Sequence, residues 1–253
     1  NKTFDKGADA VIIDLEDSVP NDQKVETRTN LLRYLESRDF DKTILIRINP
    51  LDSKFGEDDI NLLSGVSSKI DAFILPKIEE VDLLNDLPDN IIVLIETPKA
   101  VKNLGQLACH NNVIGIALGG ADLSASLGAD MSWDSLLFTR SAIIIEAATN
   151  GLFTIDSPFM NIEDIPYLKK EADLSSGMGF DGKAAIHPDQ IEAITNSFLP
   201  DKKDIEEAKE ILKAFNSSKE AVIAHKGKMI DMPIVLSMEK RLRLVGIDPK
   251  NID

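Results

Sequence analysis

Chemistry-bearing residues recur in this chain where apolar runs stop. The run at 10–13 is followed by Asp14, Glu16 and Asp17, and later runs are followed by Arg47 and Asn49, by Pro76 and Lys77, and by Glu96 and Thr97. Further along come Gly119, Gly120 and Asp122, then Asp156, then His187. Two carboxylates held close together repel, and burial adds a desolvation cost to each. A divalent cation relieves both, and Mg2+ suits a site with few protein carboxylates and room for waters or substrate oxygens. Glu96 and Asp122 are the pair expected to hold it. Taken singly, each has a plainer reading: Glu96 as an acid at the start of the helix after Pro98, and Asp122 as a cap. Zinc would want His or Cys ligands, and the three histidines are scattered.

Arg47, at the tip of an apolar strand, needs a partner or a ligand. A salt bridge to Asp14 or Glu16 and a clamp on a substrate carboxylate or developing enolate oxygen both stand from the residues alone. The Gly119–Gly120 pair lets backbone approach a ligand, or simply makes a tight turn. His187, before Pro188, reads as a brace, His110 as inert, and Asp231 as a lone surface acid.

These tips must be gathered by the elements that carry them. The strand candidates are 10–16, 43–49, 72–78, 91–97, 113–119, 152–156 and 183–188. They are apolar throughout, as strands buried on both faces of a parallel sheet are. Helices are expected at 23–38, with Val25, Leu31, Leu32 and Leu35 near one face, at 132–151 behind a Ser132 cap, and at 165–179. Such alternation implies an α/β protein, and the carboxyl edge of a (β/α)8 TIM barrel is where an active site is built. Seven strands are one short of the barrel. The opening NKTFDKGADA reads as a helix tail entering a strand, so a first strand upstream is expected. A doubly wound sheet is the alternative, but no Gly-rich phosphate loop follows an early strand. Residues 1–200 form the expected catalytic domain. Residues 201–253, with a charged helix at 201–220, an extended arm at 221–233 turning at Lys226–Lys228 and a helix at 235–246, form an arm expected to pack on a neighbouring subunit.

Composition bounds the partners. The chain has 253 residues, 28 Lys plus Arg against 43 Asp plus Glu, and a net charge of −15, which disfavours nucleic acid and anionic membranes as partners. One cysteine, Cys109, excludes an intrachain disulfide and fits a cytoplasmic location. No apolar run reaches the roughly 20 residues that span a bilayer.

Seven segments in order, GADAVIIDLEDSVP, IRINP, FILPKIE, LIETPKAV, GGADLSASLGA, GFDGKAAIHPDQI and GKMIDMP, give the chain a resemblance to the citrate lyase β-subunit-like family. These are (β/α)8 barrels of the HpcH/HpaI aldolase superfamily that includes the malyl-CoA lyases. The resemblance implies Mg2+ on Glu96 and Asp122, and substrate contacts from Arg47, Asp14, Gly119, Gly120 and Ala121. It places Glu16 and Asp17 beside the metal's waters, with Asp14 the more structural of the three acids. It also raises Asp231 to a candidate acid/base reaching a neighbour's site in a homotrimer. Related class II pyruvate aldolases have His where Asp17 stands, which counts against that activity. The family's usual first strand, ending FVPG, has no match here. The activity implied is Mg2+-dependent cleavage of a 3-hydroxy acyl-CoA, such as citramalyl-, malyl- or citryl-CoA, to acetyl-CoA and a keto acid. The alternatives are the β subunit of a carrier-protein-dependent citrate lyase, a class II pyruvate aldolase and a catalytically silent barrel.

Overall fold

The computed structural model describes residues 7–37, 42–218 and 220–252. The chain forms two compact units, Asn1–Ile191 and Glu192–Asp253. In the first, apolar runs too short and too β-branched for buried helices become strands: β1 (Ala10–Asp14), β2 (Thr43–Arg47), β3 (Ala72–Leu75), β4 (Ile91–Ile95), β5 (Val113–Leu118), β6 (Phe153–Asp156) and β7 (Gly182–Lys183). They pair in parallel, in the order β1-β2-β3-β4-β5-β6-β7, as one curled sheet. Strictly sequential order has no reversal point, which rules out the doubly wound alternative and is the winding of a (β/α)8 barrel. The helix tail read at residues 1–6 lies outside the described residues.

The helices of this unit are α1 (Lys24–Glu36), α2 (Gly56–Leu63), α3 (Pro98–Lys102), α4 (Leu104–Ala108), α5 (Gly120–Leu127), α6 (Leu137–Asn150) and α7 (Ile165–Met178). Gly128, Gly151 and Gly179 end α5, α6 and α7 in left-handed conformations, where a Cβ would be strained. Alternate strand residues divide the sheet. Leu45, Ala72, Ile74, Ile92, Leu94, Ala117 and Ile155 form a buried cluster on one face, with Ala10 and Ala184 against it. Because side chains alternate, Asp14, Arg47, Glu96 and Gly119 prolong the rows of that same face.

Three sequence expectations need correction. Val25 is exposed, and Lys24 and Arg28 lie on the buried side of α1 with Leu31 and Leu35. The two cations are satisfied there, Lys24 by main-chain carbonyls and Arg28 by Asp59. Ser132 does not cap α6, which starts at Leu137; its hydroxyl bonds Asp130 in the preceding turn. The run 183–188 contributes only Lys183 to a strand, because the chain turns at Pro188, where the His187 side chain and Gln190 form a capping box around a 3-10 turn, Pro188–Gln190.

The second unit contains most of α8 (Ile191–Phe198), then α9 (Lys202–Asn216), the antiparallel pair β8 (Ile223–His225) and β9 (Lys228–Ile230), and α10 (Met232–Arg243). Asp201 and Asp204 make a capping box at the start of α9. The arm is a hairpin whose Lys226 and Gly227 both have positive φ, 48° and 78°, as a two-residue turn of this hand requires. Ala208, Ile211 and Leu212 of α9 pack with Ile230, Val235, Met238 and Leu242.

Candidate active site

The strand register sets the first contact. Asp14 and Arg47 are paired neighbours on β1 and β2. The guanidinium grips the carboxylate through both its arms, Nε to Oδ1 and Nη2 to Oδ2, each at 2.7 Å. Arg47 Nη1 lies 3.1 Å from Glu16 Oε2 and 3.8 Å from Asp17 Oδ2. Asp14 also accepts from the Glu16 and Ser18 amides, which folds the DLED turn back over the strand end. Burial works to raise the Asp14 pKa, but Arg47 and these amides outweigh it and hold it at about 2. The salt-bridge reading of Arg47 is realised, and the guanidinium still borders Glu16 and Asp17.

Glu96, immediately after β4, is buried. Its Oε1 accepts the Lys77 amide at 2.7 Å. Burial, the Glu16 charge and Asp122 together push its pKa up to about 8. Asp122 sits in the first turn of α5, which Gly119 opens. That turn can sit so close only because it lacks a side chain: a Cβ on Gly119 would lie 2.7 Å from Glu96 Oε2, and one on Gly120 would lie 2.8 Å from Ser157 Oγ. Ala121 is exposed on the same turn.

Two lysines complete the mouth, neither given a role by the sequence reading. Lys24 Nζ donates to the Leu15 and Glu16 carbonyls at 3.0 and 2.7 Å, and so anchors the acidic turn from beneath. Lys77 Nζ donates to Glu16 Oε1 at 2.8 Å. Burial raises the Glu16 pKa against the pull of Lys77 and Arg47. A Pro–Lys pair at a strand end was the available signal for Lys77. Lys24 carried none, since its partners are main-chain oxygens. A cavity of about 510 Å³ opens here, bordered by Glu16, Asp17, Lys24, Lys54, Phe55 and Lys77 among others.

Other expected tips turn elsewhere. Asn49 donates to Asp59 Oδ2. Asp156 is fully buried on the helix-facing side, held by Arg140 Nε at 2.8 Å and Lys183 Nζ at 2.9 Å, with Lys183 also on Glu171 at 2.7 Å. In the second unit, Asp231 caps α10 through the Ile234 amide.

The donor set fits a divalent cation. A buried carboxyl resists ionisation beside two other acids, a side-chain-free turn brings the first turn of α5, with Asp122, up against it, and a bound cation would favour its charged form. Among the described residues no three His, Cys, Asp or Glu side chains are grouped to hold a metal, so such a cation would keep positions for waters or substrate oxygens.

The family model for HpcH/HpaI aldolase/citrate lyase matches residues 1–188. The chain belongs to this family. Membership places it among the carbon–carbon lyases, and agrees with the sequential parallel sheet. Citrate lyase subunit beta of Haemophilus influenzae is 33% identical over 90% of this chain and 85% of its own length. A (3S)-malyl-CoA thioesterase of Cereibacter sphaeroides is 31% identical over 88% of this chain and 82% of its own. The crystal structure of Mycobacterium tuberculosis CitE in complex with magnesium, acetoacetate and coenzyme A superposes with a TM-score of 0.84 and 28% identity, covering 97% of this chain and 92% of that one.

Proposed function

We propose that this protein is a Mg2+-dependent lyase that cleaves a 3-hydroxy acyl-CoA, citramalyl-CoA first among candidates, into acetyl-CoA and a keto acid. The observation that carries this is the meeting of Glu96 and Asp122 at one mouth with Arg47, on the face that the sheet's apolar cluster fills below. Similarity to a malyl-CoA thioesterase and to a CitE holding magnesium and coenzyme A supports the substrate class and the metal.

Glu96 and Asp122 would hold Mg2+, which when bound supplies a Lewis acid for the keto-acid half of the substrate. Asp17, the exposed acid of the turn, takes the substrate's hydroxyl proton, with Glu16 beside it ordering water. Cleavage of the carbon–carbon bond leaves its electron pair on the thioester half as an enolate. Arg47, held rigid by Asp14, offers its Nη1 side to the charge that develops, and preorganised charge of this kind needs no rearrangement during reaction. The Gly119–Gly120–Ala121 turn, with its unhindered backbone, binds substrate oxygens. Asp231 of a neighbouring subunit in a homotrimer gives a proton to the enolate carbon, so one proton is removed, one is returned and no water is consumed. One exposed cysteine suits a reducing cytoplasm. Among the described residues no helix is long and apolar enough to cross a membrane.

The test is a panel of citramalyl-, malyl- and citryl-CoA and a citryl thioester of an acyl-carrier protein, with Mg2+ and with chelator, following the keto acid and the free thiol separately. Keto acid released only with Mg2+ is expected. Thiol without keto acid would make the protein a thioesterase, and turnover only of a carrier-protein thioester would make it a citrate lyase β subunit.

A further inference from the structure

Lys77 holds two of the acids at the mouth, one with its backbone and one with its side chain. It follows Pro76 just beyond β3 and has φ +52°, a left-handed conformation that residues with a Cβ enter at a cost. In that conformation its N–H donates to Glu96 Oε1 at 2.7 Å, and its ammonium reaches Glu16 Oε1 at 2.8 Å. The ammonium is not forced inward by burial, since the side chain is 43% exposed. With Oε1 of Glu96 taken by the amide, Oε2 lies over the side-chain-free turn at Gly119.

We propose that Lys77 is a positioning residue with two separable actions: its left-handed backbone fixes which oxygen of Glu96 faces the metal position, and its ammonium fixes Glu16 for turnover. The inference rests on the metal reading of this site. The two actions separate because the amide survives any substitution that tolerates φ +52°, whereas the ammonium contact needs a basic side chain. Backbone strain at a functional site persists only when the surroundings over-determine it, and the Glu96 carboxylate is the partner that does so here.

The experiment compares Lys77→Gly, Lys77→Ala and Lys77→Val, in rising order of resistance to positive φ, with Lys77→Met and Lys77→Arg. Mg2+ binding is read by calorimetry on the full-length protein, and kcat and KM by keto-acid release. Glycine, alanine and wild type should bind Mg2+ alike, since alanine meets positive φ no worse than lysine does, while valine, branched at Cβ, should bind about 10-fold more weakly, in the range typical of groups that orient metal ligands. Lys77→Met should lower kcat by about 10–100-fold with little change in KM, and Lys77→Arg should recover most of it. Equal Mg2+ affinity across glycine, alanine and valine overturns the backbone action. Wild-type kcat in Lys77→Met, or no recovery in Lys77→Arg, overturns the side-chain action. If valine fails to fold, Lys77→Thr, also branched at Cβ, takes its place in the comparison with glycine. A wild type that binds no Mg2+ defeats the functional proposal instead. Crystal structures then judge Lys77: Glu96 displaced in valine but not in glycine or alanine supports the assignment, and Glu96 in place in all three overturns it.

Discussion

At the scale of single residues, Glu96 couples the site to stability. Its folded pKa of about 8 stands above its ordinary value of 4.5. The folded state therefore keeps a proton that the unfolded state releases, and stability falls as pH rises from about 4.5 to about 8. In chelator, the melting temperature of the wild type should drop across this range more steeply than that of Glu96→Gln, which has no proton to lose. Added Mg2+ should restore the wild type at pH 8 and leave the variant unmoved. Parallel slopes for the two proteins in calorimetric melts would show that Glu96 is not strained by its neighbours. Asp14 works in the other direction. Its folded pKa of about 2 lies below the usual 3.8, so its contribution is present above about pH 4 and is lost as pH falls towards 2. Asp14→Asn should cost about 2 kcal/mol at pH 7 in urea titrations, and a cost near zero would mean that Glu16 takes over Arg47 entirely. These acids were legible because charge at the end of an apolar strand demands a partner. Arg47 shows how far that goes: both its partners and its possible ligand were readable, but the two-armed grip on Asp14 depends on strand register, which no residue pattern displays. Lys77 was harder, because its main action comes from a backbone angle.

At the scale of elements, strands were easier to read than helix faces. Runs such as IIVLI at 91–95 are buried along their whole length, so their composition alone betrays them. Helix α1 misleads because its buried face is partly cationic. Arg28 is 6% exposed and donates from Nε to Asp59 Oδ1 at 2.5 Å, while Asp59 also accepts from Asn49. Removing the arginine would leave a buried carboxylate short of a partner, so Arg28→Ala should cost about 3 kcal/mol or more in chemical denaturation. Val25, exposed on the other side of the helix, should tolerate Val25→Glu within about 0.5 kcal/mol. Comparable losses in both variants would return α1 to the sequence-based face. The same limit hid the Arg140–Asp156–Lys183–Glu171 network, since an arginine within an apolar helix and an aspartate at a strand tip read as surface and mouth until the topology brings them together behind the sheet.

At the scale of the whole molecule, the winding was legible because most crossovers in it carry a helix between parallel strands, with only a 3-10 turn at Val81–Leu84 between β3 and β4, and a repeated right-handed unit leaves few topologies open. The arm's own elements were legible as well, a charged helix, a turn at Lys226 and a second helix, whereas a contact with a second copy is nothing that one chain's sequence displays. Within its own unit Asp231 caps α10, a role that explains an aspartate before Met232 and Pro233 without any chemistry. If it also completes a neighbour's site, the defects of two inactive proteins should complement. Asp231→Asn keeps the mouth and spoils the arm, whereas Glu96→Gln spoils the mouth and keeps the arm. Each alone should be slowed by about 10²–10⁴-fold or more. Co-refolded at equal amounts into a closed ring with head-to-tail contacts, about one site in four pairs an intact mouth with an intact arm, so roughly a quarter of wild-type activity should return. The quarter follows from random pairing alone and needs no assumption about rate. An arm that serves its own mouth would give no recovery at any mixing ratio, because every site would then carry one defect or the other.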